Sequence, residues 1–168
     1  MNKTAVIYSF NTKNSAKVAE KVKDAFGKSE IDTLNAEELT EDQFLAYDNL
    51  ILSVPTWFDG ELPNYWDEFV PAIEDMNLKG KTFAIFGLGD QKGYPENFGD
   101  AIGIMTNILE KQGAKVIGET STKGYTYENS RGVRNNKFVG LMLDAENQDD
   151  LTDERVKTWV KEIKKKFG

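Results

Sequence analysis

Runs of apolar residues alternate along the chain with segments in which apolar residues recur every three or four positions. The runs predict five buried strands, at residues 4–8, 31–34, 50–54, 82–86 and 116–117. The helical pattern occurs between and after them, at residues 16–26, 41–46, 66–76, 101–108 and 156–163. Because strands and helices alternate, we expect a parallel sheet covered by helices on both faces, an α/β fold of three layers.

Local signals place the ends of two of these helices. Gly27 follows the first helical pattern and is predicted to end that helix. Thr152, with Asp153 and Glu154 behind it, is predicted to cap the last helix. No repeat or linker interrupts the pattern, so we expect one domain over residues 1–168.

One polar stretch interrupts the alternation. Residues 119–137 lie between the short run at 116–117 and a second apolar run at 138–143. A loop of this length inside a domain is usually functional or mobile. We interpret it as an insert that splits the fifth strand. Its Tyr125 and Tyr127 could dock a partner or pack against the sheet, and we expect packing.

Composition excludes several classes of function. Lysine and arginine number 21 against 28 aspartates and glutamates, a formal net charge of −7, which argues against nucleic-acid binding. The chain has no cysteine and no histidine, which removes disulfides, thiolate metal sites and the commonest general base. The N-terminus shows no secretory pattern and no apolar run reaches membrane-spanning length. We therefore expect a cytoplasmic protein without a membrane segment.

Ligands of doubly wound sheets bind where strands end and the strand order reverses. The segment after the first strand, residues 9–15, is rich in hydroxyl and amide side chains and leads into a helix. Backbone N–H groups at a helix N-terminus favour a phosphate, although Thr12, Asn14 or Ser15 could equally serve as ordinary caps. No G-x-G-x-x-G or P-loop pattern occurs here, which disfavours dinucleotides and triphosphates.

Two further loops carry aromatic residues to the same edge. Residues 55–63 follow the third strand and contain Trp57, Phe58 and the flexible Gly60. Residues 87–98 follow the fourth strand and contain Tyr94. The three loops together predict a phosphate seat beside two aromatic side chains that could enclose a flat heterocycle.

In their order and spacing the three loops resemble those of flavodoxins, and the insert resembles the split fifth strand of the long-chain class. The most specific segments are residues 55–61, residues 86–91 with Tyr94, and residues 138–141. The resemblance implies a flavodoxin-like three-layer sandwich with five parallel strands in the order 2-1-3-4-5, the fifth being split. It also implies one non-covalently bound FMN.

The same resemblance assigns roles to individual residues. Trp57 would stack on the inner face of the isoalloxazine and Tyr94 on its outer face, while the peptide between Phe58 and Asp59 would face flavin N5. Thr56 and Glu146 would lie near the ribityl chain. The implied FMN-binding residues are Phe10, Asn11, Thr12, Lys13, Asn14, Ser15, Pro55, Thr56, Trp57, Phe58, Asp59, Gly60, Leu88, Gly89, Asp90, Tyr94, Asn97, Phe98 and Glu146.

The first loop departs from the family pattern. Phe10 stands where a serine or threonine is usual, and Lys13 where glycine is common. Ser9 or Asn11 could supply the missing donor. Losing one hydrogen bond to a charged group would cost about 1.5–3 kcal/mol, or about one to two decades of affinity.

The resemblance implies an electron carrier rather than an enzyme, a monomer whose redox partner proteins dock at an acidic flavin-side surface. Acidic residues in and beside the ring-contacting loops would make it a low-potential donor; these are Asp59, Glu61, Asp67, Asp90, Glu96 and Asp100. Two alternatives stay open, an FMN-dependent quinone or azo-compound reductase and a binding protein that has lost its cofactor. A phospho-accepting receiver domain is excluded because Pro55 and Thr56 stand where its aspartate belongs.

Overall fold

The computed structural model describes residues 3–168, and its centre is a parallel sheet. The strands of this sheet are β1 (Thr4–Tyr8), β2 (Asp32–Asn35), β3 (Asn49–Ser53), β4 (Thr82–Leu88) and β5 (Lys115–Ile117). They lie in the order β2-β1-β3-β4-β5, and every neighbouring pair is parallel. The predicted fold class and strand order are therefore confirmed.

The strands are buried on both faces because alternate residues point into two separate cores. Ile7, Leu50 and Phe83 belong to one core, whereas Val6 and Ile51 belong to the other. This explains why β1 and β3 appear in the sequence as continuous apolar runs and not as alternating patterns.

Seven helices cover the two faces of the sheet over residues 3–168. They are α1 (Lys13–Phe26), α2 (Glu41–Leu45), α3 (Asn64–Asp67), α4 (Val70–Glu74), α5 (Asp100–Lys111), α6 (Ala145–Gln148) and α7 (Thr152–Lys166). Val18, Val22 and Phe26 of α1 pack with Val156 and Trp159 of α7 on one face. The buried side chains of α2, α3, α4 and α5 belong to the core on the opposite face, which completes the three layers.

Two details of the helix prediction are wrong. The single helix predicted over residues 66–76 is two short helices, because Pro71 lacks an N–H group and its ring disfavours a helical turn before it. Thr152 is the first residue of α7 and not its cap, and its buried hydroxyl has no partner. The predicted end of α1 is confirmed, since Gly27 has a φ of 106° that suits glycine.

The insert folds into a small antiparallel sheet of its own. Its strands are β6 (Thr120–Ser121), β7 (Val133–Arg134) and β8 (Lys137–Phe138), in the order β6-β8-β7. After it, β9 (Leu141–Leu143) pairs with β4 in parallel beyond the place where β5 ends. The split fifth strand is therefore confirmed, although its second half begins at Leu141 and not at Phe138.

The two insert tyrosines pack inward, as predicted. The ring centroid of Tyr125 lies 5.0 Å from that of Phe138, and the ring of Tyr127 stacks on Phe98 at 5.7 Å. The Tyr125 hydroxyl donates to Met142 O, and burial raises the pKa of this hydroxyl to about 12.

Two of the three tryptophans are buried and hydrogen-bonded. Trp66 Nε1 donates to Ser53 O and Trp159 Nε1 donates to Gly118 O, both at 2.8 Å. Only Trp57 is partly exposed. No helix within residues 3–168 has the length and apolar character needed to cross a lipid bilayer.

Candidate functional site

A cavity of about 320 Å³ opens at the edge of the sheet where β3 and β4 end. Residues of two of the predicted loops line it, together with Gly99, which follows the second loop. The loop residues are Thr56, Trp57, Phe58, Gly89, Asp90, Tyr94, Asn97 and Phe98. Its size lies within the usual range for small-ligand pockets. The structure thus brings together eight of the predicted residues around one space.

The loop after β3 forms a tight turn over residues 57–61. A pair of backbone hydrogen bonds between Trp57 and Glu61 closes it. Trp57 N–H donates to Glu61 O at 2.9 Å, and Glu61 N–H donates to Trp57 O at 2.8 Å. Within the turn, Phe58 has a φ of 51° and Gly60 a φ of 92°. A left-handed conformation is unfavourable for a bulky residue such as Phe58 and costs about 1–2 kcal/mol.

Two aromatic side chains border the cavity. Trp57 is half-buried and meets the ring of Tyr65 edge-on, with centroids 5.6 Å apart. Tyr94 is 61% exposed, and Phe58, which also lines the cavity, is 68% exposed. A flat ligand that entered here would cover aromatic surface that now faces water.

The loop after β4 is shaped by the carboxylate of Asp90. Its Oδ1 accepts hydrogen bonds from Gly93 N–H at 2.8 Å, from Lys92 N–H at 3.2 Å and from Asn147 Nδ2 at 2.8 Å. These donors, Gly93 first, hold the pKa of Asp90 below its ordinary value. One oxygen of this carboxylate is therefore held both by its own loop and by α6.

A buried polar network ties this loop to the end of β9 and to the insert. Asp144 is fully buried and accepts from Gln91 Nε2 at 2.7 Å and from Asn147 Nδ2 at 2.9 Å. The other end of the Gln91 side chain accepts from Thr126 N–H in the insert at 2.5 Å. The position of the loop therefore depends on residues far away in sequence.

The predicted phosphate loop turns into α1 without acidic residues in the first helical turn. Because the first helical hydrogen bond runs from Ala16 N–H to Thr12 O, the amides of Lys13, Asn14 and Ser15 have no acceptor within the helix. Thr12 occupies the cap position, but its hydroxyl donates to Ser9 O at 2.8 Å and does not cap the helix. This arrangement suits an anion.

Two side chains of this loop contact other parts of the protein. Phe10 is 49% exposed and its ring lies 5.0 Å from that of Tyr8. The side-chain amide of Asn11 donates to the carboxylate of Glu37. Ser9 Oγ accepts from Asn11 N–H at 3.3 Å. The backbone N–H of Asn11 and one of the two N–H groups of its side chain are therefore already donated within the protein. That Ser9 or Asn11 replaces the missing hydroxyl stays a prediction.

The remaining predicted residues lie outside the lining of the cavity. These are the six residues 10–15, together with Pro55, Asp59, Gly60, Leu88 and Glu146. Pro55 and Gly60 are buried, whereas Asp59 and Glu146 are exposed. Of the acidic residues near the ring-contacting loops, only Asp100 is buried, at 6% exposure. No cluster of residues that could bind a metal ion occurs within residues 3–168.

Several residues that shape the site were not predicted. Gln91, Asp144 and Asn147 form the buried network, and Glu37 contacts the phosphate loop. Asp144 directly follows β9, so the rule that functional residues follow strand ends could have indicated it. Glu37 lies in a short 3₁₀ helix at residues 36–38, and nothing in its sequence context pointed to the site.

Fold and site together define a doubly wound α/β protein with a pocket bordered by two aromatic side chains at the carboxyl edge of its sheet. A family model described as Flavodoxin matches residues 6–159. The chain is 42% identical to a flavodoxin of Trichodesmium erythraeum over 170 residues, covering 100% of this chain and 99% of the relative. It is 38% identical to flavodoxin 1 of Escherichia coli strain K12 over 161 residues, 95% of this chain and 92% of that protein.

A solved structure agrees with these matches. The Fusobacterium nucleatum flavodoxin bound to flavin mononucleotide superposes with a TM-score of 0.94, at 34% sequence identity and 100% coverage of both chains. This chain belongs to the flavodoxin family. The predicted resemblance is thereby confirmed.

Proposed function

We propose that this protein binds one FMN non-covalently and carries single electrons at low potential between redox enzymes. The flavin would lie in the cavity between Trp57 and Tyr94. The observation that carries this proposal is that cavity, bordered by one half-buried and one exposed aromatic ring in a flavodoxin fold. The Fusobacterium relative, with FMN in its structure, supports the choice of ligand.

The phosphate group of FMN would bind at the start of α1. The unpaired amides of Lys13, Asn14 and Ser15 and the positive end of the helix favour a dianion there. Lys13 would add a positive charge, and Thr12, whose hydroxyl donates to Ser9 O, would help to fix the shape of the loop. Phe10 offers no side-chain donor, and one N–H of the Asn11 side chain is donated to Glu37. Fewer side-chain donors would therefore reach the phosphate than the family pattern implies.

Thr56 and the loop after β4 would position the rest of the ligand. Thr56 Oγ1 accepts from Ala101 N–H at 3.1 Å, which leaves its own proton free to donate toward a ribityl hydroxyl. Asp90 and Asn97 line the cavity and would face the pyrimidine edge. FMN supplies one- and two-electron transfer, while the protein fixes its position and energies.

Acidic residues around the cavity would lower the potential. At about 10 Å, each carboxylate would oppose an added negative charge on the ligand by about 0.4–1.7 kcal/mol, depending on the local dielectric constant. This corresponds to about 20–70 mV for each carboxylate. The exposed Asp59, Glu61 and Glu96 lie in the two ring-contacting loops, so their effects would add.

The surface around the cavity would also dock redox partners. Phe58 and Tyr94 line the cavity and expose apolar surface, and the exposed acids Asp59, Glu61 and Glu96 lie in the same loops. Phe10 exposes a further aromatic ring in the loop before α1. Exposed aromatics are typical anchors of protein interfaces, and surrounding charge accelerates encounter with a basic partner. We further propose that the protein acts as a monomer in the cytoplasm.

The first test is the visible spectrum of the purified protein and a titration of the FMN-free form with FMN. We expect a flavin spectrum and binding of one FMN per chain. A colourless protein that takes up no FMN would contradict the proposal. Sustained oxidation of NAD(P)H by the isolated protein with a quinone or azo acceptor would instead favour a reductase.

The second test addresses the potential. Neutralising Asp59, Glu61 and Glu96 together with Asn and Gln should raise the midpoint potential of the second one-electron step by about 60–200 mV. A control variant would neutralise Glu74, Asp75 and Glu162, three exposed acids distant from the cavity. Equal shifts in both variants would show that the net charge of the protein sets the potential, and not the three acids near the cavity.

A further inference from the structure

The N-terminus of α5 makes two contacts with the Trp57–Glu61 turn and its flank. One is with Thr56, which directly precedes the turn, and the other is with Gly60, within it. Ala101 N–H donates to Thr56 Oγ1. On the other side, Asp100 Oδ2 lies only 2.5 Å from the point that a Cβ on Gly60 would occupy. Gly60 therefore rests directly on the Asp100 carboxylate, and no larger residue would fit between them.

The insert holds Asp100 in this position. Arg131 N–H donates to Asp100 Oδ1 at 2.7 Å. No ion pair among residues 3–168 involves Asp100, although it is almost fully buried. A buried carboxylate needs hydrogen-bond donors, and here a backbone amide of the insert supplies one.

Gly103, the fourth residue of α5, allows the insert to approach this closely. A Cβ on Gly103 would lie 2.0 Å from Arg131 O and 2.6 Å from Arg131 C. Glycine is a poor helix former, so its presence within a regular helix needs a local reason. The reason here is direct contact between the backbone of the insert and the helix.

We propose that Asp100 is a positioning residue for the Trp57–Glu61 turn, and that the insert backbone at Arg131 keeps it in place. The insert would then act on the flavin site without touching the ligand. The proposed effect on bound FMN rests on the proposed function, whereas the effect on the turn itself does not.

Three variants separate the parts of this arrangement. Asp100→Ala removes both the charge and the acceptor, whereas Asp100→Asn removes the same charge and keeps an oxygen for Arg131 N–H. Gly103→Ala leaves Asp100 unchanged but pushes the insert backbone away. Arg134→Ala is the control, because it breaks the contact of the insert with Glu110 near the other end of α5.

The measurement is amide hydrogen exchange of Trp57 and Glu61 in the FMN-free protein, because these two amides close the turn. We expect exchange to accelerate about tenfold in Asp100→Ala and Gly103→Ala, and much less in Asp100→Asn and Arg134→Ala. If Gly103→Ala fails to fold, the pair of Asp100 variants still decides the question.

Three results would overturn the proposal: no acceleration in Asp100→Ala, equal acceleration in Asp100→Asn, or equal acceleration in Arg134→Ala. In the FMN-loaded protein, the gap between the two one-electron midpoint potentials should differ between Asp100→Ala and Asp100→Asn, although both have lost the same charge. A protein that binds no FMN would contradict the proposed function, while the exchange rates would still test the positioning role.

Discussion

The side-chain amide of Asn147 joins two carboxylates, donating to Asp90 at 2.8 Å and to Asp144 at 2.9 Å. One of these acids belongs to the loop that lines the cavity, and the other is fully buried at the end of β9. The shape of the loop after β4 therefore depends on a residue of α6 that does not line the cavity.

Replacing Asn147 by alanine should destabilise the FMN-free protein. Asp144 would lose a donor while remaining buried, which costs about 1–3 kcal/mol of unfolding free energy. Urea unfolding at neutral pH measures the change. Asn129→Ala is a suitable control because this exposed residue contacts Pro95 only through its backbone. Equal losses in the two variants would show that the network adds nothing.

The pKa of Asp90 predicts a specific pH dependence. Because this pKa is lowered in the folded state, the stabilisation is complete above the unfolded value near 3.8 and disappears as the pH falls through the lower folded value. Asp90→Asn should therefore lose less stability than the wild type as the pH falls from about 5 to below 3.8. Parallel stability curves for the two proteins would contradict this expectation.

Phe58→Gly should stabilise the FMN-free protein by about 0.5–1 kcal/mol. Glycine removes the strain of the positive φ at this position, and the greater freedom of the unfolded glycine chain offsets only part of that gain. Little packing is lost, since Phe58 is 68% exposed. Thermal unfolding provides the measurement. Asp59→Gly, a neighbouring change at a residue without a positive φ, should lower stability instead. A decrease with both variants would show that Phe58 is not strained.

Phe10→Thr should strengthen FMN binding by about tenfold to a hundredfold if the new hydroxyl reaches the phosphate. Phe10→Val is the matched control, because valine has nearly the shape of threonine but no hydroxyl. Titration of the FMN-free variants measures the affinities. Equal affinities for threonine and valine would show that a donor at this position is irrelevant.

Glu37→Ala should also tighten FMN binding, several-fold at low salt, because it frees the amide of Asn11 and removes a negative charge beside the proposed phosphate position. The gain should shrink as ionic strength rises. Glu38→Ala changes the adjacent exposed residue and serves as the comparison. A salt-independent gain, or the same gain in both variants, would argue against a local electrostatic effect.

Much of the fold could be predicted because it follows from local patterns. The runs that became β1, β3 and β4 are buried on both faces, and the split fifth strand was visible as a polar interruption between two apolar segments. The break between α3 and α4 was missed because Trp66, Phe69 and Ile73 keep a helical spacing across it. That residues 1–168 form one domain stays a prediction.

Only those site residues that follow the ends of strands could be predicted from the sequence. Trp57, Tyr94 and Asp90 follow β3 and β4 and were identified, whereas the contacts of Glu37 and Arg131 depend on tertiary packing between distant segments. Arg131 acts through its backbone amide, which every residue except proline possesses, so its side chain carried no signal. The roles of individual residues in FMN binding stay predictions.

The three indole groups differ in their exposure to solvent, so their fluorescence can report on the pocket. Trp66 and Trp159 are shielded from solvent, so a small neutral quencher such as acrylamide would reach only Trp57. The quenchable part of the emission should therefore vanish when a ligand covers that indole. Occupancy of the pocket could then be followed in the unlabelled protein, without attaching a dye.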